Sequence, residues 1–108
     1  MDITIEAMET YLSERYSNWA NEKGLFMKLV EEIGEVAEVL NKRAGHKPCN
    51  EQDLEEQLGA ELADMLHYIL AIAAINNIDM TRCIIEKDKI ASIKYHHDTN
   101  LEIFLKNR

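Results

Sequence analysis

Between Phe26 and Leu40 the apolar residues Phe26, Leu29, Val30, Ile33, Val36, Ala37 and Leu40 recur at intervals of three and four. That period fits one stripe of an amphipathic helix and no strand, so the segment must bury a helical face against another element. Two acids, Glu32 and Glu35, stand three apart on neighbouring turns of this helix, with Glu32 placed close to the edge of the stripe. A second segment repeats the acid spacing. Glu61-Leu62-Ala63-Asp64 lies in a run that is apolar nearly all round from Leu62 onward, as expected of a helix at the centre of a bundle or in a subunit interface.

The remaining chain reads as helices joined by short breaks. A first helix is predicted from about Ile5 to Asn21, with Ile5, Met8, Leu12, Tyr16 and Trp19 inward and Glu6, Glu9, Glu14 and Arg15 outward. Lys23-Gly24 is read as a break, since glycine accepts the left-handed conformation that ends a helix. The second helix then runs from about Leu25 to Arg43 and stops at Ala44-Gly45. His46 to Asn50 holds the single proline, Pro48, and forms a loop whose Asn50 caps a third helix from Glu51 to about Asn76. Asp79 caps a fourth, from Met80 to about Tyr95, and Leu101 to Leu105 forms a short last one. With 108 residues and four glycines this predicts one all-α domain over residues 1–108, a bundle of four to five helices.

Charge narrows the partners. Twenty acidic against twelve basic side chains give a formal net charge of -8, which argues against nucleic-acid and anionic-membrane binding and requires a metal between this surface and any anionic substrate. Cys49 and Cys83 have no second ligand at zinc-site spacing. The start, Met1 to Glu6, lacks the basic and apolar regions of a signal peptide, and the most apolar run, Met65 to Ile75, is too short to span a bilayer. A cytoplasmic protein is expected.

The chemistry rests on carboxylates. On a helical wheel Glu61 falls inside the arc of Leu54, Leu58, Met65, Ile69 and Ile72, flanked by Asp64 and Tyr68. A buried carboxylate must be paired, hydrogen-bonded or bound to a cation. The second helix offers Glu32 and Glu35 and no base among its inner positions, so antiparallel association of the two helices brings four acids together. An all-oxygen set of this kind suits Mg²⁺ or Mn²⁺. The plain alternative is that acids spaced E-x-x-E on a glutamate-rich helix face water; Glu61, set in an apolar face, resists it.

The segments Glu32-Ile33-Gly34-Glu35-Val36-Ala37-Glu38 and Glu61-Leu62-Ala63-Asp64-Met65-Leu66-His67-Tyr68-Ile69-Leu70 resemble the paired ExGELAE and ELxDVLxYLL motifs of MazG-like nucleotide pyrophosphohydrolases. The likeness extends from Trp19 to Tyr95. It implies an all-α NTP pyrophosphatase fold, Mg²⁺ held by Glu32, Glu35, Glu61 and Asp64, and hydrolysis of a nucleoside triphosphate to the monophosphate and pyrophosphate. Glu32 and Glu35 are then the catalytic carboxylates, with Glu35, farthest from the stripe, the acceptor of the water proton. Lys87, Tyr68, Trp19 and Lys94 would contact substrate, although each also reads as an ordinary core or surface residue. Ala91 departs from the asparagine common there in relatives. The resemblance further implies a homodimer or homotetramer with sites completed across subunits. His67 is read as a surface or interface residue, and His96 and His97 as solvated. Two readings of other classes stay open: a non-catalytic helical module that binds nucleotide, metal or protein, and, more remotely, a di-iron oxidase built on Asp64-x-x-His67.

Overall fold

A computed structural model describes residues 1–17, 21–46 and 51–108, without the side chains of residues 46, 51 and 52. The described residues form five α-helices and no strand: α1 (Ile5–Arg15), α2 (Glu22–Asn41), α3 (Glu51–Ile75), α4 (Met80–Lys94) and α5 (Leu101–Lys106). Side-chain caps fix their starts. Thr4 accepts from the Ala7 amide at 3.0 Å, Asp79 from Arg82 at 3.1 Å and Asn100 from Ile103 at 2.9 Å, each satisfying a first-turn N–H that has no partner within its helix. The α2 helix ends in a wide turn at Lys42–His46 where Gly45 adopts φ 94°, a conformation open to glycine. The loop expected from His46 to Asn50, with its Asn50 cap, lies outside the described residues apart from the backbone of His46.

One boundary differs from the sequence expectation. The first helix stops at Arg15 rather than Asn21, and Gly24 lies inside the first turn of α2 instead of breaking it. The cause is Asn21, whose side-chain oxygen accepts from the Gly24 amide at 3.2 Å and so starts the helix.

Helices α2 and α3 make the most extensive contact, and α1 lies across α3. Leu25, at the start of α2, shares a cluster with Leu70, Ala71 and Ala74 near the end of α3, so the pair runs antiparallel. Leu12 and Tyr16 of α1 complete that cluster. The inward face of α2 is Leu25, Leu29, Glu32, Val36 and Val39, spaced at four and three residues as a single stripe. This corrects the expected stripe. Phe26, Val30, Ile33 and Leu40 are 52%, 43%, 48% and 47% exposed, and Glu32 lies at the middle of the inward face rather than at its edge. The sequence pattern carries two apolar stripes about a third of a turn apart, and intrachain contact uses only one.

Burial of α3 follows the same logic. Leu54 is buried and Leu58, Glu61, Met65, Tyr68 and Ile72 are half-buried along one face, whereas Leu62, Leu66 and Ile69 are exposed. Ile69, expected inward, is thus turned outward. From Asp53 to Ile75 this helix is long and apolar enough to cross a membrane by length and composition alone; in this fold it packs against α1 and α2. The α4 helix contacts α1 and α5, the second contact pinned by Asp88 accepting from the Leu101 amide at 2.6 Å and by Lys89–Glu102 at 3.2 Å. The radius of gyration is 17.0 Å, against about 13 Å for a compact domain of this size. The chain is open, with apolar helix faces to spare.

Candidate metal centre

Midway along the α2–α3 pair, carboxylate oxygens of Glu32, Glu61 and Asp64 all lie within 4.8 Å of one another. The helical period makes this local arrangement. Glu32 is the central residue of the inward stripe of α2, Glu61 occupies the equivalent place on α3, and Asp64 follows Glu61 by one turn at the solvent edge. Glu35, one turn after Glu32, is exposed and acts on Glu61 while standing outside the cluster formed with Asp64.

The electrostatics are unfavourable as they stand. Glu32 and Glu61 each bury one Oε2 without a hydrogen-bond partner. The carboxyl of Glu61 is pushed up to about 8 by the carboxylates of Glu32 and Glu35, with loss of water contributing in the same direction. Two carboxylates sharing one site cannot both hold full charge without a cation or a proton between them. The nearest base on α2, Lys28, pairs instead with Glu31 at 3.4 Å, and Lys42 pairs with Glu38 at 3.5 Å; all four side chains are exposed and such pairs contribute little. Glu31 and Glu38 therefore stand outside the cluster. Orphaned oxygens facing one another, with only oxygen donors, fit a hard divalent cation: Glu32, Glu61 and Asp64 would hold it, with Glu35 at the rim.

His67 does not join the acids. Its Nε2 lies 2.7 Å from the Tyr16 hydroxyl, and its ring meets Tyr16 and Tyr68 edge-on at 5.7 and 5.1 Å. Instead of a surface position it occupies the α1–α3 contact, where burial and then Arg15 hold its pKa below the ordinary imidazole value against the opposing pull of Asp64. The Asp64-x-x-His67 spacing thus serves to dock α1, and a di-iron arrangement loses its histidine.

Of the substrate-contact expectations, Tyr68 is near the acids. It is half-buried one turn beyond Asp64, its phenol pushed up by burial and by Tyr16. It lines a cavity of about 270 Å³ with Tyr16, Asn21, Gly24, Leu25 and Lys28. Lys87 and Lys94 lie exposed on α4, Lys94 with its Nζ 5.3 Å from the Tyr95 ring centre. The α4 helix packs on α1 and α5, and among the described residues no ion pair joins these lysines to the carboxylates. Ala91 is half-buried on the same helix. Trp19 lies outside the described residues. The sequence reading missed Asn21 and Lys28 as cavity residues; the signal for Asn21 was its place before an acidic first turn, the pattern of an N-cap.

The structure is an all-helical bundle with a carboxylate cluster at its waist and an apolar cavity beside it. The model of the MazG nucleotide pyrophosphohydrolase domain matches residues 20–92, and the chain belongs to that family. The match takes in Glu32, Glu35, Glu61 and Asp64. Among curated proteins no match was found.

Proposed function

We propose that this protein is a Mg²⁺-dependent nucleoside triphosphate pyrophosphohydrolase that converts a (d)NTP to the (d)NMP and pyrophosphate in the cytoplasm, possessing a single domain over residues 1–108. The observation that carries this reading is the partnerless buried oxygen of Glu61, set among Glu32, Glu35 and Asp64 in a chain of the pyrophosphohydrolase family. When bound, Mg²⁺ or Mn²⁺ supplies charge neutralisation for the triphosphate and lowers the pKa of a water. Glu32, Glu61 and Asp64 hold the ion. Glu35, exposed and outside the three-acid cluster, keeps an oxygen free to take the proton from the attacking water. Tyr68 and Lys28 position the nucleoside end of the substrate in the adjoining cavity.

The protein works as a homodimer or homotetramer. Phe26, Val30 and Ile33 on α2 and Leu62, Leu66 and Ile69 on α3 present apolar stripes at helical spacing to solvent, the kind of exposed face that marks an interaction surface. Association through them brings Lys87 or Lys94 of one copy to the acids of another.

The test follows pyrophosphate release from a panel of nucleoside triphosphates with and without Mg²⁺, alongside sedimentation of the same sample. Metal-dependent release that disappears in Glu32→Ala and Asp64→Ala supports the enzyme. Nucleotide binding with no turnover would sink it in favour of a non-catalytic module, and a monomer at micromolar concentration would sink the assembly.

A further inference from the structure

The cavity beside the acids has a chemical bias. It is lined by Tyr16, Asn21, Gly24, Leu25, Lys28 and Tyr68 and holds about 270 Å³, below the roughly 300–1,000 Å³ of sites that enclose a drug-sized molecule and suited to one heterocycle. Lys28 precedes Glu32 by one turn of α2, and Tyr68 follows Asp64 by one turn of α3, so the cavity opens about 5 Å along the helices from the carboxylates. Asn21 stands at its edge with a fixed orientation. A backbone N–H can only donate, so the hydrogen bond from Gly24 at 3.2 Å commits the Asn21 oxygen to the helix start and leaves its NH₂ uncommitted by the cap. Lys28 adds a second donor. The Tyr16 hydroxyl is engaged with His67 at 2.7 Å. Tyrosine hydroxyls apart, the lining side chains offer donors and no carboxylate.

We infer that Asn21 is a specificity-determining residue that reads a carbonyl oxygen on the nucleobase, so that the site favours keto bases such as uracil and thymine over their amino counterparts such as cytosine. This rests on the pyrophosphohydrolase reading for the substrate class and on the Asn21–Gly24 geometry for the preference. Uracil and cytosine share the O2 carbonyl and differ along the C4–N3 edge: at C4 uracil presents an acceptor and cytosine a donor, and at N3 the roles are exchanged. The Asn21 donor, set by the helix cap against position 4 of the base, meets the oxygen of uracil and opposes the amino group of cytosine, leaving a polar group unpaired.

Two measurements separate this inference from the one beneath it: kcat/KM for dUTP against dCTP, and calorimetric binding of dUMP against dCMP, which needs no turnover. The expected preference for uracil is about 10-fold in both. Asn21→Ser and Asn21→Asp retain an oxygen that caps Gly24 while removing the NH₂, so both variants fold and the preference falls to about 2-fold or less, reversing in the aspartate. A preference within 2-fold in the parent, or one that survives both substitutions, overturns the inference even if hydrolysis proceeds. Selective binding of dUMP with no hydrolysis of any triphosphate overturns the catalytic reading and upholds the role of Asn21.

Discussion

Two regions of the α2–α3 contact, its apolar end and its acidic middle, are held by opposite physics. Where Leu25 meets Leu70, Ala71 and Ala74, with Leu12 and Tyr16 of α1 laid over them, the helices are joined by buried apolar surface. A few turns away the same two helices press Glu32, Glu35, Glu61 and Asp64 together and bury oxygens that have no partner. The first region stabilises the pair, and the second opposes it until a cation or proton intervenes. The apolar region holds the acids close to one another against their own repulsion. Substitutions in the two regions should therefore differ in sign as well as in size.

The largest effect belongs to the acidic middle. Glu61→Gln keeps the shape of the side chain and removes the charge that a cation needs, so turnover is expected to fall about 10³-fold, or ~4 kcal/mol of transition-state stabilisation. The same variant, without metal, should melt no lower than the parent at neutral pH, because it removes a repulsive group; calorimetry beside the pyrophosphate assay reads both. Next comes the apolar end. Leu70, 1% exposed, is expected to cost about 3 kcal/mol of stability on change to alanine, within the range for buried leucines. Denaturant unfolding measures it. If Glu61→Gln destabilised the metal-free protein as much as Leu70→Ala, the two regions would not be opposites.

This contrast was only half legible in the sequence. The period of three and four specified the helices, and the spacing of Glu61 among Leu54, Leu58 and Met65 placed it correctly on an inward face. The face of α2 was less determined, because Leu25, Leu29, Val36 and Val39 make one stripe and Phe26, Val30 and Ile33 another. Both satisfy a helical period, and only docking against α3 selects between them. Asn21 was misread for a related reason: asparagine ends helices as well as starting them, and the choice fell to a single hydrogen bond to Gly24. The place of His67 depended on Tyr16, 51 residues away, which no local pattern encodes. The approach of Glu32, Glu61 and Asp64, by contrast, followed from antiparallel association, with Glu35 left outside that cluster.

A third effect, intermediate in size, is the response to pH. Glu61 has its folded-state pKa raised from an ordinary 4.5 to about 8, so between those values the folded chain binds more protons than the unfolded one. Stability of the metal-free protein is then fully present below about 4.5, declines as pH rises, and has lost this contribution above about 8. Divalent metal requires the deprotonated site, so protection by Mg²⁺ should grow through the same interval and binding should release a proton. Melting temperatures from pH 4 to 9, with chelator and with Mg²⁺, give two curves that diverge as pH rises; Glu61→Gln should flatten the first. Parallel curves would mean that the acids do not share a site.

The smallest effect tests whether the aromatic contact next to the acids serves the fold or the chemistry. Tyr16→Phe removes the hydroxyl 2.7 Å from His67 Nε2 and keeps the ring in the α1–α3 cluster. A net loss of about 1 kcal/mol is expected from one such hydrogen bond, readable by denaturant unfolding. Magnesium affinity should be unchanged, because His67 lies outside the acid cluster and docks α1. A tenfold loss of Mg²⁺ affinity, ~1.4 kcal/mol, would instead show that the aromatic end positions Asp64 across the turn that separates it from His67. The boundary between the stabilising and the functional parts of α3 would then lie a turn later than the geometry draws it.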